Sequence, residues 1–174
     1  GKLPDITNQS NINVEATEKQ KKEMEKTREK LETLKKHIIK KYPFTLAIGV
    51  IAPQAIPKFL EEEELPKDVE KLIHLQVIVP DDKFKDIKKI KAELVEKIQK
   101  EKEKIWIHIK TPVDIFGMAL DSKFDLVEAV SMSFPLYDKG FLGASRVANI
   151  HKSLVLRKFE KYIVSYVIAV SLVR

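Results

Sequence analysis

The side chains of this 174-residue chain that invite a chemical reading are its histidines, an aspartate pair and a terminal serine and arginine. His74 lies in an apolar run, Leu72 to Val79, and His108 in the alternating run Ile105 to Ile109. If those runs are neighbouring strands, the two imidazoles can face each other. A zinc or manganese centre needs three or four such ligands. The chain has no cysteine, and His37 and His151 are distant in sequence, so a satisfied or half-exposed histidine is the expectation and no metal is assigned. Asp81 and Asp82 offer the oxygen atoms that magnesium prefers. A Pro-Asp-Asp end reads first as a turn and a helix cap. There is no Ser-His-Asp arrangement, no cysteine nucleophile and no intact glycine-rich phosphate loop, and no residue is assigned a catalytic role. Gly49 stands alone in an apolar run, where a bulge or a close backbone approach explains it better than a phosphate cradle.

The elements that must position these groups follow from periodicity. Residues 1–13 carry Pro, Asn, Gln and Ser without an apolar period and read as a flexible tail. From 14 to 42 the chain is a helix former, with Met24, Thr27, Leu31, Leu34 and Ile38 in one narrow seam ended by Pro43. Thr45 to Ala52 suits a buried strand, and Gln54 to Glu64 a short helix with Pro57 near its first turn, running into an acidic loop. Leu72 to Val79 is a second strand, with Ile73, Leu75, Val77 and Val79 on one side and His74 and Gln76 on the other. Asp81 or Asp82 is expected to cap the next helix, whose inner face is Phe84, Ile87, Ile90, Leu94, Val95 and Ile98. Ile105 to Ile109 is a third strand, in which Trp106 is read as core packing rather than a base-stacking platform.

Thr111, Pro112 and Asp114 have the spacing of N-cap, N1 and N3, so a helix starts there, with Val113, Ile115, Phe116 and Leu120 expected toward the core. A short helix follows over Phe124 to Met132, then a turn or short strand over Pro135 to Gly140. A long helix is expected over Phe141 to Tyr162 and a last strand over Ile163 to Val170. Strands alternating with helices argue an α/β (or α+β) fold, and the connections between the first strands are long enough for crossovers.

The most specific stretches are Ile107-His-Ile-Lys-Thr-Pro-Val-Asp-Ile-Phe116 and Phe134-Pro-Leu-Tyr-Asp-Lys-Gly-Phe141, with Lys71 to Asp82 ahead of them. In this order they resemble the nucleotidyltransferase superfamily of the polymerase beta type, in an archaeal-like form, over about Leu34 to Gly140. The resemblance implies a mixed sheet flanked by helices with a long N-terminal helix. It also implies two strand carboxylates, and often a third on a later strand, holding two magnesium ions about 4 Å apart. Those metal-strand positions fall on Leu72, His74 and His108, none of which is a carboxylate. The Gly-Ser that would approach the triphosphate is replaced by Pro53-Gln54, and proline has no amide proton to offer. The resemblance therefore implies a degenerate site, with magnesium only in an active partner unit. Residues 141–174 resemble the opening of a second such unit, with Ser171 and Arg174 as phosphate-binding candidates; the alternative is a plain sheet strand with a polar end. On this reading 43–140 is the degenerate domain.

Composition bounds the rest. With 44% hydrophobic and 33% charged residues, the chain is a globular protein with a heavily charged, Lys/Glu/Ile-rich, thermophile-like exterior. No run of 18 apolar residues exists, so neither a membrane span nor a membrane partner is expected. The absence of cysteine and of a signal-like N-terminus fits the cytoplasm. The net charge is +6, and Lys139 to Arg174 carries seven bases against Glu160, which can attract phosphate. The expected function is a catalytically inert nucleotidyltransferase-like scaffold or regulatory half, partnered by an active unit and contacting nucleotide or RNA phosphate. The alternatives are a stand-alone nucleic-acid-binding module and an interaction protein that forms a homodimer through the N-terminal helix as a coiled coil.

Overall fold

The computed structural model describes residues 6–61 and 68–149, and the chain divides into two compact units, Gly1–Pro43 and Phe44–Arg174. Among the described residues the first unit is one helix, α1 (Ile6–Lys41). It starts earlier than the apolar seam suggests, so residues 6–13, expected as tail, are helical. Met24 of the seam is exposed. Helical i,i+3 and i,i+4 bonds and pairs recur along it, among them Thr27 Oγ1 to Glu23 O and Lys35 to Glu32.

Among the described residues the second unit is a four-stranded mixed sheet flanked by helices, an α+β arrangement. Its strands are β1 (Ala47–Val50), β2 (Ile73–Ile78), β3 (Ile105–Lys110) and β4 (Phe134–Asp138), in the order β3-β2-β1-β4. β2 and β3 are parallel, as a crossover through a helix requires. β1 and β2 are antiparallel, although the chain between them is long enough for a crossover. β4 also runs antiparallel to β1, with a register shift between Ile48 and Gly49.

The helices are α2 (Ile56–Leu60), α3 (Ile87–Lys100), α4 (Pro112–Leu120) and α5 (Phe124–Ser131), and a further helix, α6, covers 141–149. Among the described residues no helix is long and apolar enough to cross a membrane. α3 lies against β3 and buries Ile90, Leu94 and Ile98. The other face of the sheet carries a core of Ala47, Ile51, Ile78, Phe59, Ile115, Leu126, Val130 and Leu142. Both faces are therefore covered, which is why β2 is buried along nearly its whole length.

Three expectations are corrected. Phe84 is not on the buried face of α3: it lies in a 3-10 turn, Asp81–Asp86, and is 67% exposed. No side chain caps that turn, and Asp81 instead accepts from Val113 N at the start of α4, 2.9 Å away. On α4, only Ile115 is buried; Val113, Phe116 and Leu120 are 62%, 64% and 70% exposed. The start of α4 itself is as its spacing predicts. Thr111 Oγ1 accepts from Asp114 N at 3.2 Å, and Asp114 Oδ2 accepts from Thr111 N at 2.8 Å, a complete capping box with Pro112 at the first position.

Candidate functional site

The two strand histidines meet. Parallel pairing sets His74 beside Trp106 and Gln76 beside His108, and both histidines lie on the sheet face that α2 and α5 cover. His74 is 0% and His108 2% exposed. His74 Nδ1 and His108 Nε2 are 2.8 Å apart, and His74 Nε2 is 2.8 Å from Val69 O. A carbonyl only accepts, so His74 Nε2 carries the proton; a neutral His74 then accepts at Nδ1, and His108 Nε2–H is the donor. The rings are stacked at 5.1 Å, and Phe59 of α2 closes over His108 at 5.5 Å. A solvated imidazole pair would bind metal or shuttle protons. Here each ring presents a nitrogen to the other inside an apolar wall.

Beside the histidines a second polar group is consumed internally. Gln76 Nε2 donates to Val130 O at 2.9 Å and to Ser133 Oγ at 2.7 Å, and Ser133 Oγ donates to Val130 O at 2.8 Å. Gly49 is the backbone against which this knot closes. A Cβ at position 49 would stand 2.3 Å from Ser133 Oγ, so only glycine fits. Both readings of Gly49 hold: the strand register shifts there, and a neighbour approaches closely.

The turn after β4 is an anion cradle filled by the chain's own carboxylate. Asp138 Oδ1 accepts from Gly140 N and Leu142 N at 3.0 and 3.1 Å, and Oδ2 accepts from Gly143 N at 3.1 Å. Gly140 has φ +116°, which a side chain would resist. The amides opening α6 therefore find their acceptor in the Asp138 carboxylate. Arg146 on α6 reaches back with Nε to Ser131 O and Nη2 to Ser133 O, at 2.7 and 2.8 Å, tying α6 to the end of α5. Replacing Asp138 with Ala should cost about 1–2 kcal/mol, the scale of a lost helix cap, read as a lower urea midpoint at unchanged slope.

Of the positions singled out in the sequence, Leu72 is half-buried immediately ahead of β2, and His74 and His108 are joined. Asp81 and Asp82 are exposed, with Asp81 engaged by α4. Among the described residues no group of three or more His, Asp or Glu side chains converges as metal ligands would. Trp106 is half-buried, with Lys91 Nζ 5.7 Å from its ring centre. Ser171, Arg174, His151 and the expected strand 163–170 lie outside the described residues, as do residues 62–64 of the acidic loop. Sequence reasoning missed Ser133, Arg146 and the inward role of Gln76. The only signal for Gln76 was a polar residue in register with His74 on an otherwise apolar strand. No family model, curated protein or solved structure matches the chain.

Proposed function

We propose that this chain is a nucleotidyltransferase-like domain that is catalytically inert on its own and serves as a scaffold or regulatory half for an active nucleotidyltransferase unit. One observation carries most weight. Where the resemblance puts carboxylates that face a substrate cleft, His74 and His108 are buried and hydrogen-bonded to each other, with Phe59 against His108. Two-metal phosphoryl chemistry needs oxygen ligands open to water and nucleotide. A sealed imidazole pair supplies neither oxygen nor access. The polar groups at this place hold the sheet to α5 and to the turn at Val69–Lys71 instead, which suits a part that must keep its shape against a partner.

The test is calorimetric titration of ATP or CTP into the chain with and without magnesium. The expected result is no magnesium-dependent heat. The reading is overturned by a magnesium-dependent signal that survives His74→Ala and disappears in the Asp81→Ala, Asp82→Ala double variant. Contact with nucleotide or RNA phosphate through Ser171 and Arg174 is a separate element of the same proposal. It predicts that Arg174→Ala weakens RNA binding and reduces its salt dependence, since each neutralised phosphate contributes to the salt slope.

A further inference from the structure

We propose that the 3-10 turn Asp81–Asp86 and the opening of α3 bind single-stranded nucleic acid, with Lys83, Lys85, Lys88, Lys89 and Lys91 toward phosphates and Phe84 stacked on a base. Residues 83–91 hold these five lysines against one acid, Asp86. The glutamates come later in the helix, where Glu96 pairs with Lys100 and Glu101 with Lys97. None of the five lysines makes an ion pair among the described residues. Lys88 and Lys89 are exposed, on the side of α3 away from buried Ile90, Leu94 and Ile98. The fold therefore sorts a segment of mixed sign into a paired end and an unneutralised basic end.

These charges stand where the helix disfavours them. Lys88 and Lys89 open α3, whose first turn holds no acid. A helix carries the positive end of its dipole there, so the ammonium groups repel that end as well as one another. A local rule broken without an internal return is what binding surfaces show. A polyanion supplies the missing return through charge complementarity.

Phe84 selects among polyanions. Its ring is exposed between Lys83 and Lys85 and meets no other ring among the described residues. Lysines alone would serve a duplex or an anionic membrane equally well. An aromatic face among them adds base stacking, which only unpaired bases permit. Lys83 Nζ lies 4.9 Å from the Phe44 ring centre and Lys91 Nζ 5.7 Å from that of Trp106, contacts that steady an ammonium group without neutralising it. Asp81 is engaged by Val113 N, and exposed Asp82 subtracts from the field. This surface is far in sequence from Ser171 and Arg174 and does not depend on the nucleotidyltransferase resemblance.

Fluorescence anisotropy of a labelled, unstructured RNA of about 12 nucleotides reads the contact. Between about 50 and 200 mM salt the affinity should fall roughly twentyfold to hundredfold, as about three to five single-strand phosphate contacts require. Lys88→Glu with Lys89→Glu should weaken binding at low salt by about tenfold or more, while the same charge change at exposed Lys21 and Lys22 of α1 has less than about a third of that effect. Phe84→Ala should weaken RNA binding by about fivefold or more and leave a duplex of the same length unaffected. Asp82→Asn should tighten RNA binding. The Lys88→Glu, Lys89→Glu variant should melt no lower than the wild type, because acids suit that end of a helix, so its lost binding is not lost folding. Negligible RNA affinity at low salt overturns the proposal, as do equal losses from the α1 and α3 variants, a lower melting temperature of the α3 variant, or a duplex bound as tightly as the single strand. It is also overturned if Phe84→Ala abolishes binding to phosphatidylserine vesicles and leaves RNA binding unmoved, which would make this a membrane surface.

Discussion

Gly49→Ala is expected to destabilise the protein by about 3 kcal/mol, at the upper end for forcing one methyl into a packed interior. The added carbon would stand 2.3 Å from Ser133 Oγ and 3.0 Å from Ser133 Cβ. Serine is short and cannot swing aside. Its hydroxyl is also held at both ends, receiving from Gln76 and donating to Val130 O. Displacing it breaks a buried hydrogen-bond knot as well as straining β1 against the end of α5, so the steric and polar costs fall together. In a chain of this length the melting temperature should fall by roughly 6–12 °C. Ser133→Gly removes both clashing atoms. The Gly49→Ala, Ser133→Gly double variant should therefore be more stable than the two single losses summed would give, by at least about 1 kcal/mol. Strict additivity in urea unfolding would refute this close approach.

The second large effect belongs to the histidine pair. His74→Leu and His108→Leu should each cost about 2–3 kcal/mol, because each leaves a buried ring nitrogen of the other histidine without its partner. His74→Leu also strands Val69 O, which accepts from His74 Nε2. The double variant removes both ends of the 2.8 Å bond, so its cost should fall short of the sum by about 1–2 kcal/mol. Urea denaturation of the four proteins of the cycle measures the coupling. Additive losses would mean that the rings touch without holding each other, and the role assigned to them in sealing the face would fall.

These two sites were unevenly legible. Gly49 announced itself, since an isolated glycine in an apolar run signals a bulge or a near neighbour. That the neighbour is Ser133 was invisible, because it depends on how β4 aligns with β1. The adjacency of His74 and His108 was conditional on strand order, and the parallel pairing of β2 with β3 supplied it. The helix start at Thr111 was fully legible, since a capping box closes within four residues and needs nothing distant.

The failures share a cause. α4 is apolar almost all round, so its pattern names no inner face, and packing against α5 and the core cluster selected Ile115 and left Val113, Phe116 and Leu120 outside. Phe84 fitted the period of α3, but the backbone at Asp81–Asp86 is 3-10, which rotates it away from that face. Asp81 satisfies an amide 32 residues away, not its own helix. The antiparallel direction of β1 against β2 could not be read from a connection long enough for either direction.

Local chemistry in the chain was enough to specify the capped start of α4, the alternation of β2 and β3, the long first helix and the lack of carboxylates at the positions the resemblance singles out. Those features rest on contacts within a few residues, where backbone sterics and side-chain reach leave few options. The joining of His74 to His108, the knot around Gly49 and the outward face of α4 rest on contacts between segments far apart in the chain. Such contacts depend on which surfaces are left once the sheet has closed, and periodicity carries no record of that.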